Sequence, residues 1–156
     1  MDPRFARVID QLHPAFERLL AVPPTCHGCL LPNMPTQGVY LFSEGDRHLY
    51  AGRSNHLRNR VGQHCRAGSQ HNQAVFAFRL ARETTGMIMP VYAPGAGSRK
   101  NLAVDPVFAE AFAAAKARVR VMDYRCVEET DQTRQALLEL YCAIALSCPY
   151  NDFNTH

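Results

Sequence analysis

The chain has 156 residues, 47% of them hydrophobic, with 17 Lys and Arg against 14 Asp and Glu for a net charge of +3. That size and apolar content suit one compact domain around a single core, with no second domain required. No apolar stretch is long enough to span a bilayer, and the opening MDPRFARVID lacks the charged and apolar regions of a signal peptide, so a cytoplasmic protein with no membrane partner is expected.

Residues Pro3 to Val22 place Phe5, Val8, Ile9, Leu12, Phe16 and Leu19 at helical spacing, with Pro14 positioned to break or restart the helix. The next stretch, Val22 to Pro35, holds four prolines and predicts an extended connector rather than a regular element. Gly38 to Phe42 and His48 to Gly52 are runs of β-formers on either side of the turn residues Ser43, Glu44, Gly45 and Asp46, which is a hairpin signal. A turn centred on Gly45 sets Tyr40 opposite Tyr50, with both phenols on one face.

Directly after the second strand, Ser54 or Asn55 offers a helix cap, and Leu57, Val61 and Cys65 repeat every four residues. His56, Arg60 and His64 keep the same spacing one step round, giving a polar stripe beside the apolar one. Asn72 to Glu83 fits a helix better than a strand. Thr84 to Val104 predicts a long loop; its glycines do not make a nucleotide phosphate loop, because Arg99, Lys100 and Asn101 do not supply the Gly-Lys-Ser/Thr ending. Asp105 to Ala117 predicts a helix capped by Asp105 with Pro106 in its first turn. Arg118 to Val127 alternates as a third strand, and Thr130 or Asp131 caps a last helix.

That last helix is apolar from Ala136 to Leu146 except for Glu139. A lone carboxylate in such a setting needs a partner. A divalent cation, an escape to solvent, or an ion pair with Arg134 or another arginine would each serve. Charge is also uneven along the chain: from Arg47 to Arg82 there are seven arginines, four histidines and no Asp or Glu. Such a segment suits a polyanion, or else forms a solvated basic face. A guanidinium holds phosphate through two parallel hydrogen bonds, and a nearby phenol can position or pass a proton. Among the six cysteines, Cys26 and Cys29 have the spacing of half a zinc site with no second close pair to complete it, while Cys142 and Cys148 sit in apolar surroundings and are expected in the core.

The triplets Gly38-Val39-Tyr40 and Tyr50-Ala51-Gly52, ten residues apart tyrosine to tyrosine, are followed by Arg53-Ser54-Asn55-His56-Leu57-Arg58-Asn59-Arg60 and His64, with Glu139 and Asn151 twelve residues apart near the C-terminus. Together these resemble the GIY-YIG nuclease family, with Val39 and Ala51 in place of its isoleucines. The resemblance covers Gly38 to Asn154. It implies an α/β (α+β) domain, a small three-stranded antiparallel sheet flanked by helices over residues 38–156, with a long central insertion at 84–104. Residues 1–37 then form an N-terminal helical appendage and connector. The implied activity is metal-dependent hydrolysis of DNA phosphodiesters with one Mg²⁺ or Mn²⁺. Tyr50 would be the general base, Tyr40 its hydrogen-bonding companion, Arg60 the phosphate clamp, Glu139 the metal ligand and Asn151 a support. His64 would assist proton transfer, and Arg53, Arg58, Arg99 and Lys100 would contact the substrate backbone. Alternatives are an inactive nucleic-acid-binding module of the same fold, or an interaction protein using the arginine face. With no separate sequence-reading module, weak specificity, recognition of DNA shape or targeting by a partner protein is expected.

Overall fold

The computed structural model describes residues 1–26, 33–87 and 98–153. These divide into two compact units, residues 1–61 with 122–151, and residues 62–121 with the C-terminal residues from 152.

The first unit begins with two helices, α1 (Pro3–Ile9) and α2 (Leu12–Ala21). Asp2 caps α1 by accepting from the Arg4 and Phe5 amides at 2.9 and 3.2 Å. The break at Asp10 and Gln11 follows from Pro14, which sits third in α2 and cannot donate to the carbonyl four residues before it. A short strand, β1 (Thr25–Cys26), comes next, then β2 (Gly38–Glu44) and β3 (Arg47–Ser54). Helix α3 (Leu57–Gln63) starts in this unit, and β4 (Asp123–Glu128) and α7 (Gln132–Ala145) close it.

The sheet is antiparallel throughout, in the order β1-β4-β2-β3. Among the described residues it has four strands, not three, because the proline-rich connector pairs Thr25 with Tyr124 and Cys26 with Asp123. Among the described residues β1 is two residues long, too short to leave a β-pattern in the sequence. The final strand also starts later than its alternation suggests, since Arg118 to Val121 belong to the preceding helix.

The hairpin departs from simple symmetry about Gly45. A bulge between Phe42 and Ser43 shifts the register, so Tyr40 faces Gly52 and Phe42 faces Tyr50. Both tyrosines stay on one face, but as diagonal neighbours with ring centroids 6.3 Å apart. Alternate residues Val39, Leu41, Ala51 and Val127 form the other face, packed with Leu12, Ala15 and Leu19 of α2 and with Leu138, Cys142 and Ala143 of α7. Each of these is nearly or fully buried. Cys142 and Cys148 are core residues as expected, and burial pushes their thiols up to about 12 and about 11.

In the second unit, α4 (Val75–Thr85) and α6 (Pro106–Val121) pack through aromatic rings: Phe78 lies 4.8 Å from Phe108 and 5.6 Å from Phe112. Asp105 caps α6 by accepting from the Phe108 amide at 2.9 Å, and the helix runs on to Val121. The long loop is shorter than its composition suggests, because Thr84 and Thr85 finish α4 and Arg99–Leu102 forms a one-turn helix, α5, capped by Ser98. Its glycine-rich part, residues 88–97, lies outside the described residues, as do His27 and Cys29 and hence the candidate half zinc site.

Candidate functional site

The site is built on β3, the edge strand of the sheet, and on the helices at its two flanks. Gly52 follows Tyr50 on this strand and faces Tyr40 across the ladder. A Cβ at Gly52 would run into the hydroxyl and Cζ of Tyr40, so only glycine lets that ring lie flat across β3. Gly38, at the start of β2, has φ +146° and no room for a side chain against the Val127 carbonyl. The two glycines of the paired triplets thus have separate reasons: one admits a phenol, the other a backbone.

Tyr40 is 1% exposed and Tyr50 7%. Burial pushes the Tyr40 phenol well above its ordinary value of 10.0, and the neighbouring Tyr50 adds to the rise. The Arg60 guanidinium opposes it by its charge and by a hydrogen bond to the phenol, while the Glu139 charge raises it slightly. Tyr40 therefore stays protonated at neutral pH and acts as an acceptor for Arg60. Tyr50, Arg60 and Glu139, three of the residues expected at the site, thus each act on a fourth, Tyr40.

Arg60 is half-buried because α3 leaves the strand directly. Ser54 accepts the His56 amide at 2.9 Å and the Leu57 amide donates to the Thr36 carbonyl at 2.8 Å, which fixes the helix start. Leu57 and Val61 are fully buried on one side of α3, while Arg58 is exposed. His64 does not continue the exposed stripe begun by His56. The helix ends at Gln63, and His64 is fully buried in the second unit, edge-on to Phe76 with centroids 6.4 Å apart. Arg99 and Lys100 also belong to the second unit, where the Arg99 guanidinium lies 5.7 Å from the Phe78 ring centroid.

Glu139 stands midway along α7. Its partner is Arg53 of β3, whose Nε donates to Oε2 at 3.0 Å; the two side chains are 42% and 22% exposed. Arg134 is engaged elsewhere, forking onto Glu129 through Nε and Nη2 at 3.0 and 2.9 Å. The helix around Glu139 is not buried all round, for Leu140 and Ile144 face outward. Among the described residues no three His, Cys, Asp or Glu stand together as a metal cluster. A partly exposed single carboxylate does suit a hard cation such as Mg²⁺, which keeps several waters and takes one or two carboxylates together with substrate phosphate.

Asn151 reaches the outer edge of β3. Past α7, Ser147 turns the chain with φ +51°, the Tyr150 amide donates to the Leu49 carbonyl at 3.2 Å, and the Asn151 side chain then closes a two-way amide pair with Ala51. Its Oδ1 accepts from the Ala51 N–H and its Nδ2 donates to the Ala51 carbonyl, both at 2.8 Å. This imitates one rung of a further strand at the residue between Tyr50 and Gly52.

Two supporting residues, Gln132 and Gln135, stand out only in the structure, and both bond to Asn55. The Gln135 amide, on a side chain 1% exposed, donates to the Glu129 carbonyl at 2.7 Å and to Asn55 Oδ1 at 3.2 Å, and Asn55 and Gln132 exchange hydrogen bonds at 2.8 and 3.3 Å. They tie the start of α3, which carries Arg60, to the start of α7, which carries Glu139. The sequence signal was two glutamines one helical turn apart at the foot of an apolar helix.

Over 41 residues, 26% of its length, the chain is 49% identical to UvrABC system protein C of Deinococcus radiodurans, and it spans 7% of the length of that protein. No family model matches the chain, and no solved structure matches it. No helix among the described residues is long and apolar enough to cross a membrane.

Proposed function

We propose that the protein is a metal-dependent endonuclease of the GIY-YIG type, hydrolysing DNA phosphodiesters at the site around Tyr40. The observation that carries this reading is the convergence of Tyr50, Arg60 and Glu139 on one buried phenol. The 41-residue likeness to a UvrABC system protein agrees with a role on DNA.

In this reading the substrate phosphate docks beside β3, where Arg60 holds a non-bridging oxygen and offsets the charge that grows there during attack. Tyr40 acts on Arg60: a neutral phenol accepting from the guanidinium fixes its direction without neutralising it. Tyr50, the less buried phenol, takes the proton from the attacking water. Glu139 would hold a Mg²⁺ or Mn²⁺ ion, which when bound supplies positive charge against the leaving oxygen. Asn151 keeps the Tyr50–Gly52 segment of the edge strand from fraying. Arg53 and Arg58, both exposed, would extend the contact along the backbone. Substrate choice would come from DNA shape or a targeting partner. Cys126, Cys142 and Cys148 are buried as thiols, in keeping with a reducing, cytoplasmic setting.

A second reading has one observation in its favour. Arg53 already occupies Glu139, as it would in a module that binds DNA and never cuts it. A cleavage panel of duplex, branched and single-stranded DNA with Mg²⁺ or Mn²⁺ separates the two. The nuclease reading predicts product from at least one substrate and none with Glu139→Ala. The binding reading predicts salt-sensitive retention of DNA, unchanged in Glu139→Ala, and no product.

A further inference from the structure

Two of the arginine–carboxylate pairs among the described residues differ sharply in construction. Glu129 is 8% exposed and Arg134 grips both its oxygens, while the Asp131 amide donates to the same carboxylate at 2.9 Å. That pair caps the turn between β4 and α7 and is held by three hydrogen bonds to one carboxylate. Arg53 and Glu139 meet through Nε at 3.0 Å on side chains 42% and 22% exposed. An exposed pair of this kind shifts an equilibrium by roughly fivefold at most, so it gives way readily to a stronger partner.

We propose that Arg53 is a positioning residue with two stations: in the free protein it holds Glu139, and when a nucleic-acid phosphate arrives it transfers to that phosphate, leaving the Glu139 carboxylate to a divalent cation. This rests on the nuclease reading of the site. Its physical basis is competition. A cation approaching Glu139 in the free protein must displace a guanidinium and then sit beside its positive charge. A phosphodiester offers the same guanidinium two oxygens in a matched fork, so Arg53 follows the phosphate. The cation then meets two anions in place of an ion pair. Cation and nucleic acid therefore bind with positive coupling, and each raises the affinity for the other by the same factor. The free protein holds metal weakly and assembles the cleavage site on DNA.

The test is titration of Mn²⁺, followed by the electron paramagnetic resonance of the free ion. It uses the parent, Arg53→Gln, Arg53→Lys and Glu139→Gln, each alone and with a phosphorothioate oligonucleotide whose own Mn²⁺ uptake is subtracted. Without DNA, Arg53→Gln is expected to bind Mn²⁺ about three- to tenfold more tightly than the parent, from loss of an exposed pair and of a like charge. Arg53→Lys, which keeps the charge and loses the fork, falls between them. With the oligonucleotide the parent gains affinity, and Arg53→Gln gains much less. If Arg53→Gln binds Mn²⁺ no more tightly than the parent while Glu139→Gln abolishes binding, the exchange is wrong and the metal assignment stands. If Glu139→Gln binds Mn²⁺ as the parent does, the assignment of the metal to this carboxylate fails, and the exchange with it.

Discussion

Substituting alanine at Gly52 tests the packing that sets the two tyrosines. The added Cβ would overlap the hydroxyl and Cζ of Tyr40 and come within 2.9 Å of its Cε1. The ring has nowhere to go: it is 1% exposed, with Phe42 and Tyr50 rings 5.8 and 6.3 Å away and Arg60 on its phenol. Overpacking of this sort costs about 1–3 kcal/mol. Against it stands the roughly 0.4–1 kcal/mol that Gly→Ala returns by restraining the unfolded chain, since Gly52 carries no positive φ. Gly52→Ala should therefore lower stability by about 1–2 kcal/mol in urea denaturation followed by circular dichroism. In a Tyr40→Leu background, where the ring is gone, the same change should cost nothing or stabilise slightly, giving a coupling of about 1–3 kcal/mol between the two positions. Equal costs in the two backgrounds would refute the packing assigned to Gly52 and, with it, the register that places Tyr40 there.

Three further outcomes follow from the structure. Asn151→Ala strips the partners from both polar groups of the fully buried Ala51 and should cost about 2 kcal/mol or more, and Asn151→Asp, which keeps the acceptor but sets a second carboxylate oxygen against the Ala51 carbonyl, should also destabilise; parental stability of Asn151→Asp in denaturation would contradict the two-way pairing. Burial raises the Glu129 carboxyl, but the Arg134 fork and the Asp131 amide outweigh it and hold the group below its ordinary 4.5, so the stability it contributes is present above pH 4.5 and lost as pH falls through the folded value; Glu129→Gln should flatten that acid limb in denaturation at stepped pH. Burial pushes the Cys126 thiol to about 12 and Cys142 to about 12, so both should resist a thiol reagent at neutral pH until the protein is unfolded, and prompt labelling of either, read by mass spectrometry, would contradict the core.

Local chemistry made much of this legible in the sequence. The hairpin, the helix after it and the capped helix at Asp105 each carry turn or cap residues beside a clear period, and all three are present. What escaped depends on contacts distant in sequence. The bulge at Phe42 is one residue of extra length in one strand, and it moved the partner of Tyr40 from Tyr50 to Gly52 without changing the face. The pairing of Thr25 and Cys26 needs Tyr124, a hundred residues away, to exist at all. His64 sat at the right spacing for an exposed stripe, but the helix stopped one residue earlier and the chain buried the ring. For Glu139 the residues alone left cation, solvent and arginine open. The structure pairs it with Arg53, a residue that the resemblance had placed on the substrate, and spends Arg134 on Glu129.

The most direct test of the central claim is the single-turnover rate of DNA strand cleavage by the parent and by Tyr50→Phe, with Mn²⁺ and with DNA retention measured beside it. Loss of a general base is expected to slow cleavage by roughly 10²–10⁴-fold, with retention unchanged. Cleavage by Tyr50→Phe at the parental rate, or no cleavage by the parent on any DNA structure, would contradict the account.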